Sequence, residues 1–293
     1  LYREIVAVVS SLEFVTCARN AIKELIPVAL SGAGRADTNV VTKRDGSLVT
    51  AIDHEVEARL LAAFHASFPG VPVLGEEGAL DRQAQSASLM YREFIESDYQ
   101  IIIDPIDGTK NFINGHPQYC IAVALSKSQR GGMWPVAGVI AIPEEQTVYW
   151  GDERGVFAED LMSGQQRQIV RANFSSEQVS VNSRDRAWLA EHNLKLINPW
   201  VSSGSSVYDF LGTVLGRNKA SIAGSQRLWD LMAPLALALC NGLTLRDLET
   251  GSEVTSITMD HLSADIRMRP WGLSRKMLLA PSTVEFSQLL TRT

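Results

Sequence analysis

A chain of 293 residues, at roughly 150 per domain, makes about two domains or one large one, and it can bury a core without disulfides or structural metals. With 45% hydrophobic and 20% charged residues it lies among ordinary globular chains, which excludes disorder as its general state. Its 27 basic against 33 acidic residues give a formal charge of −6, and no stretch gathers five basic residues, so neither a nucleic-acid partner nor an anionic-membrane surface is expected.

Apolar residues recur at helical spacing over residues 5–30 and 56–68, the second run closed by Pro69-Gly70, and predict two amphipathic helices. Between them the turn pair Asp45-Gly46, flanked by Val40-Val41 and Leu48-Val49, predicts a short hairpin. Short β-rich segments at 71–74, 100–103, 120–125, 136–142, 147–150 and 155–158 predict one antiparallel sheet packed on the early helices. The polar stretch 78–88 reads as a mobile insertion. After about residue 175 strands (179–181, 195–197, 220–223, 244–246) alternate with helices (184–192, 205–215, 231–240), the pattern of an α/β layer. The expected organisation is an α+β half over residues 1–174 that carries most candidate ligands, followed by an α/β half over residues 175–293 that carries Asp230 and the substrate contacts.

Cys17, Cys120 and Cys240 are far apart, with no C-x-x-C, which fits a reducing, cytoplasmic location rather than a disulfide framework. No apolar run approaches 18 residues, so no membrane span is expected, and the opening Tyr2-Arg3-Glu4 is not a signal-peptide pattern.

The chemistry lies in the carboxylates. Asp104-Pro105-Ile106-Asp107-Gly108-Thr109 follows the apolar strand at 101–103, so two acids three residues apart leave a sheet edge together. Pro105 fixes φ and Gly108 permits close approach. A hard cation such as Mg²⁺ takes carboxylate and carbonyl oxygens, and the carbonyl of Ile106 lies between the two acids. Glu76-Glu77 is a second acidic pair at a strand end, and Asp230, after Trp229, stands where a loop enters a helix. Taken singly, such acids also fit solvated turns, and Asp230 an ordinary N-cap.

Together these residues resemble a known family. The series Lys43, Asp45-Gly46-Ser47, Val49-Thr50, Asp53, then Gly75-Glu76-Glu77, then residues 104–109 with Asn111-Phe112, then Trp229-Asp230, is similar in order and spacing to the inositol monophosphatase family of metal-dependent, lithium-sensitive phosphatases. The resemblance runs from about residue 5 to 280. It implies a layered α-β-α-β-α fold, usually homodimeric, with two or three Mg²⁺ ions, acting on a small phosphorylated metabolite. It also implies metal ligands at Glu76, Asp104, the Ile106 carbonyl, Asp107 and Asp230. Thr109 is similar to the family threonine that orients the attacking water, held by a carboxylate equivalent to Asp53. Glu77 looks like a partner of the water-bearing metal shell, and Lys43 falls within the same catalytic set.

The substrate-binding residues implied are Gly108, Thr109, Ser183, Gly204, Ser205, Ser206 and Asp230; Gly204-Ser205-Ser206 opens a helix and offers N–H groups to an anion or hydroxyl. Inositol phosphatases carry a glutamate seven residues before the Trp-Asp aspartate; this chain has Ala223 there. Trp229-Asp230 and Asn182-Ser183-Arg184 look more like the branch that removes the 3′-phosphate from adenosine 3′,5′-bisphosphate. Haloacid-type phosphatases space their two aspartates by one residue rather than two, and no P-loop, G-x-G-x-x-G or G-x-S-x-G is present. A non-catalytic regulatory role on this fold is the alternative from another class; it predicts loss of Glu76, Asp104, Asp107 or Asp230, and all four are present.

Overall fold

The computed structural model describes residues 8–35, 40–43, 46, 48–81, 87–170, 176–263 and 269–292. In chain order the elements begin with α1 (Ser11–Gly32), the two-residue strands β1 (Val41–Thr42) and β2 (Leu48–Val49), α2 (Ala51–Ser67), β3 (Val73–Gly75), α3 (Glu76–Asp81) and α4 (Ala87–Glu96). There follow β4 (Tyr99–Asp107), α5 (Thr109–Ile113), β5 (Cys120–Gln129), β6 (Gly132–Ile142), β7 (Thr147–Asp152), β8 (Gly155–Asp160) and β9 (Gln166–Ile169). The second half holds β10 (Val179–Ser180), α6 (Ser183–Glu191), β11 (Leu194–Leu196), β12 (Trp200–Val201), α7 (Ser206–Val214), β13 (Ala220–Ala223), α8 (Leu228–Cys240), β14 (Leu243–Asp247), β15 (Met277–Pro281) and β16 (Leu290–Arg292).

Strand alternation divides these elements into layers. Ile101 and Ile103 of β4, Ile121, Val123 and Leu125 of β5, and Val148 and Trp150 of β7 pack with α1 and α2. Their neighbours Ile102, Ala122, Ala124 and Tyr149 point to the opposite face, onto α7 and α8, so each strand serves two cores. Across α7 and α8 lies the second sheet, contributing Ala223, Leu245, Met277 and Leu279. Its far face, with Val179, Ala220, Ile222 and Leu278, is covered by Leu189 and Trp188 of α6. The order is helix pair, seven-stranded sheet, helix pair, five-stranded sheet, helix. This is the layered α-β-α-β-α sandwich of an α/β protein.

The central helix α8 is seated by small residues. A Cβ on Gly138 of β6 would come within 2.7 Å of the Ala233 carbonyl oxygen, and one on Gly151 of β7 within 3.1 Å of Leu237 Cα. Only glycine lets the helix backbone approach the sheet this closely.

Several expectations need correction. The large sheet runs in the order β3-β4-β5-β6-β7-β8-β9 and is not wholly antiparallel, because β3 pairs parallel to β4 through Val73↔Ile101. A parallel partner needs a crossover, and residues 76–98 supply one with α3 and α4. Residues 78–81 and 87–88 of the expected mobile insertion are helical, and 82–86 lie outside the described residues. β11 does not join the five-stranded sheet, ordered β12-β10-β13-β15-β14; it pairs with β16 near the chain end. The strands β9, β12, β15 and β16 had no clear signal, being two to five residues long. Of the first expected helix, residues 5–7 lie outside the described residues, as do Asp45 and Ser47 of the hairpin turn, whose strands pair as expected through Val41↔Val49.

Candidate metal centre

The central pair of acids depends on a β-bulge. Along β4, Asp104 pairs with Ala122 and Asp107 with Cys120, so three steps on one strand match two on the other. In a regular strand residues three apart face opposite ways; the extra residue returns Asp107 to the side of Asp104. Ile106 then turns its side chain into the core beneath α1 and α2. The bulge falls at Pro105, which has no N–H to leave unpaired.

Asp230 meets this pair from the first turn of α8. Oxygens of Asp104, Asp107 and Asp230 lie within 4.8 Å of one another. Asp230 is not the N-cap expected from sequence. Arg227 holds that position, and Asp230, three residues on, accepts the Arg227 N–H at 2.9 Å. Asp107 is held by α7: Val207 N donates to its Oδ2 at 2.9 Å, and Ser205 Oγ donates to the same oxygen. Ser205 is the N-cap of α7 and its hydroxyl accepts from Tyr208 N at 3.1 Å. Gly204 before it has φ of 90°, a left-handed conformation that favours glycine. Ser206 opens α7 and is half-buried.

Glu76 and Glu77 open α3 rather than lying in a turn. Lys43 Nζ donates to Glu76 Oε1 and to Glu77 Oε1, each at 2.8 Å, with the lysine side chain 9% exposed. Glu76 therefore borders the three aspartates with an ion pair already made, and Glu77 is tied to Lys43. Gly108 caps α5 in the left-handed region at φ 85°, where a Cβ would come within 2.9 Å of Ser205 Cβ. Thr109 Oγ1 donates to the Ile106 carbonyl at 3.1 Å. Asp53 instead accepts from Thr50, from its N–H at 2.9 Å and its hydroxyl at 2.5 Å, in a capping box that starts α2. The Asp53–Thr109 pairing implied by the resemblance is thus not among the hydrogen bonds of the described residues. Ser183 is exposed at the start of α6. Ala223 is fully buried in the core between the sheets.

Glu57 was missed. It is 4% exposed, and its carboxylate accepts from Glu77 N and Gly78 N, both at 2.8 Å, so it fixes the turn that presents Glu76 and Glu77. Gly75 makes room for it, since a Cβ there would lie 2.4 Å from Glu57 Cδ. The signal was its spacing: Asp53, Glu57, Leu60 and Phe64 share the buried face of α2, and an acid on such a face needs a partner.

The electrostatics call for positive charge. Both carboxylate oxygens of Asp104 are buried without a hydrogen-bond partner among the described residues, and so is Oδ1 of Asp53. Burial, then the charges of Glu76, Asp107 and Asp230, hold Asp104 well above the usual carboxylate range. Burial and Asp230 do the same to Asp107 against the hydrogen bonds from Ser205 and Val207. Burial pushes Asp230 up to about 6 and Asp53 to about 6, while burial and Glu76 push Glu77 up to about 8. Burial would lower Lys43, but Glu76 and Glu77 hold it above its ordinary value. One lysine does not balance this many acids. A hard divalent cation, which takes oxygen donors only, fits the orphaned Asp104 carboxylate and its two neighbours.

The model of the inositol monophosphatase family matches residues 11–280. An inositol-1-monophosphatase of Mycobacterium bovis is 28% identical over 221 residues, 71% of this chain and 72% of its own length. An uncharacterised protein, y4fL, of Sinorhizobium fredii is 25% identical over 279 residues, covering 92% and 93%. A solved IMPase from Thermotoga maritima superposes with a TM-score of 0.67 at 20% identity over 94% of both chains, a likeness of fold. That family is metal-dependent, and its acidic cluster is present here in Asp104, Asp107 and Asp230. With a family match across 270 positions and the five-layer fold in agreement, the chain belongs to the inositol monophosphatase family.

Proposed function

We propose that this phosphatase-family protein is a Mg²⁺-dependent phosphomonoesterase that hydrolyses a small phosphorylated metabolite with water as nucleophile. The observation that carries the reading is the Asp104 carboxylate, both of whose oxygens are buried without a hydrogen-bond donor among the described residues, beside Asp107 and Asp230. Glu76, Asp104, Asp107, Asp230 and the carbonyl of Ile106 would hold the ions. Bound there, divalent ions supply positive charge to the phosphoryl oxygens and acidify a water, the two needs of a reaction that is among the slowest without a catalyst.

The remaining roles belong to the chain itself. The Thr109 hydroxyl, aimed at the Ile106 carbonyl, is suited to orient the nucleophilic water. Asp53, raised toward neutrality with one oxygen unengaged, is suited to receive a proton from that network. Lys43 holds Glu76 and Glu77 in register. In this reading Gly108, Gly204, Ser205, Ser206 and Ser183 would contact an ester bound at the acidic cluster, with the Ser205 N–H already donating to Ser203 Oγ at 3.2 Å.

A 3′-phosphorylated nucleotide is the first choice of substrate, from the likeness of Trp229-Asp230 and Asn182-Ser183-Arg184 to the bisphosphate nucleotidase branch; Ala223, buried in the core, does not bear on that choice. The same reading includes a homodimer and a cytoplasmic location; no helix of the described residues is long and apolar enough to cross a membrane. The deciding assay is phosphate release from inositol 1-phosphate, adenosine 3′,5′-bisphosphate, fructose 1,6-bisphosphate and histidinol phosphate, with Mg²⁺ and with EDTA. Release that EDTA abolishes is expected. Undiminished turnover by metal-stripped protein, or none on any ester with Mg²⁺, overturns the reading.

A further inference from the structure

Ser203 lies between β12 and α7, in neither a strand nor a helix, yet both of its backbone polar groups are taken by side chains. Its N–H donates to the Asp209 carboxylate at 3.1 and 3.2 Å, and its carbonyl accepts from Asn111 Nδ2 at 2.9 Å. Its hydroxyl accepts the Ser205 N–H at 3.2 Å and donates to the Ser205 carbonyl at 3.1 Å, closing a turn around Gly204. Backbone that leaves the regular ladders has to find partners in this way or leave them unmade. The next hydroxyl along, that of Ser205, donates to Asp107, so the turn is continuous with the acidic cluster.

Asn111 reaches this turn from the other half of the chain. It stands in α5, two residues after Thr109, and the Nδ2 that meets Ser203 also donates to the Gln118 carbonyl at 2.6 Å. An amide NH₂ carries two hydrogens, and the two carbonyls take both. The Gln118 carbonyl in turn lies against the Gly108 turn, where a Cβ would come within 3.0 Å of it. On the far side the Asn111 amide occupies the space over Gly204, since a Cβ at position 204 would come within 3.0 Å of Asn111 Oδ1. One half-buried amide therefore ties the segment that carries Gly108 and Thr109 to the segment that carries Gly204 and Ser205. Neither of its bonds uses an oxygen of the acidic cluster.

We propose that Asn111 is a positioning residue for the reaction: its two bonds hold the Gly204 turn, which would contact the ester, at a fixed separation from the α5 turn, where Thr109 would orient the attacking water. This rests on the phosphatase reading and adds to it a residue that acts only through the backbone it holds. Displacing one wall of a reaction site by about 1 Å can cost about 100-fold in rate, because the reacting atoms lose their alignment. Affinity for the ester is spread over more contacts and changes less. Loss of the clamp is therefore expected in kcat rather than in KM.

Asn111→Leu keeps the size of the side chain and removes both donors. On whichever ester of the panel the wild type hydrolyses, at saturating Mg²⁺, this variant is expected to lose about tenfold or more in kcat with KM within about threefold. Hydrogen exchange of the metal-free protein supplies a reading that needs no turnover: the amides of Ser205, Val207 and Tyr208, each bonded to a side chain in or beside the turn, should exchange about tenfold faster, while those of α2 keep the wild-type rate. A purely structural residue would instead lower the melting temperature and speed exchange throughout, with kcat per folded molecule unchanged. Wild-type kcat, a loss confined to KM, or exchange that is unchanged or faster everywhere overturns the clamp. If Asn111→Leu does not fold, Asn111→Gln, which carries the amide one methylene further, is read by the same two measures and should move both in the same direction by less. Should the wild type hydrolyse no ester, the phosphatase reading falls by itself, and exchange alone decides the clamp by the same criterion.

Discussion

Asp107 and Val207 are 100 residues apart in the chain, yet the Val207 N–H donates to Asp107 Oδ2 at 2.9 Å. The carboxylate at the end of β4 thereby completes the first turn of α7, where a helix leaves N–H groups unpaired and favours negative charge. One side chain serves the acidic cluster and the joint between the strand-rich first part and the second.

Replacing Asp104 separates activity from folding. Even supporting groups around a metal typically cost about 10–100-fold on mutation, so Asp104→Asn should lower Mg²⁺-dependent phosphate release by at least about 100-fold. In EDTA the same variant should melt no lower than the wild type, because a neutral amide replaces a buried acid that disfavours its charged form and has no hydrogen-bond donor among the described residues. Near-normal turnover by the folded variant would count against the cluster as the metal site.

The metal-free protein should lose stability as pH rises. Asp53 and Asp230 are raised from 3.8 to about 6 and Glu77 from 4.5 to about 8, so between about pH 4 and 8 the folded state holds more protons than the unfolded one. Stability contributed in this way is present below the unfolded pKa values and is lost through the folded ones. Lys43, raised instead, keeps its charge throughout this window. Thermal melts in EDTA should fall from pH 5 to 8, and added Mg²⁺ should recover most of the loss at pH 8. Melting that stays flat or climbs in EDTA contradicts the assignment.

Glu57→Ala tests a residue that sequence reasoning passed over. Two N–H groups, on Glu77 and Gly78, would lose their acceptor, at about 1–3 kcal/mol each where water cannot replace it. Urea denaturation should show a loss of about 2–4 kcal/mol, and the Mg²⁺ concentration for half-maximal activity should rise. A stability change within 0.5 kcal/mol, the range of an ordinary surface substitution, would show that Glu57 does not hold this turn.

Ala223 shows how a sequence marker changes meaning in three dimensions. Read from the chain alone, Ala223→Glu restores an inositol-binding acid. In the fold, Ala223 is buried in the α7–α8 core, and its strand partner is Met277. A carboxylate there has no partner, so Ala223→Glu should destabilise by about 3–5 kcal/mol and should not improve turnover of inositol 1-phosphate. A stable variant with better inositol ester hydrolysis would restore the first interpretation.

The acids at 104, 107 and 230 were legible because Pro, Gly and Asp at fixed spacing constrain the backbone as well as the chemistry. The hairpin, the early helix pair and the alternation of the second part followed from turn residues and hydrophobic period. The parallel pairing of β3 was not legible: a three-residue strand looks the same in either direction, and direction is set by the crossover of α3 and α4. The bulge at Pro105 was equally silent, since register depends on the partner strand. The role of Glu57 needed the fold, because its partners are N–H groups that every residue carries.

The helix α8 has no solvent-facing side over most of its length. Leu228 to Ala238 are buried except for Asp230, and Gly138 and Gly151 lock the helix backbone to the large sheet while Met277 and Leu279 close on it from the small one. Asp230 rides on this rigid axle, so no hinge between the two sheets can carry it away from Asp104 without unseating the whole core. Whatever binds at the three aspartates therefore meets a fixed anvil rather than a closing jaw.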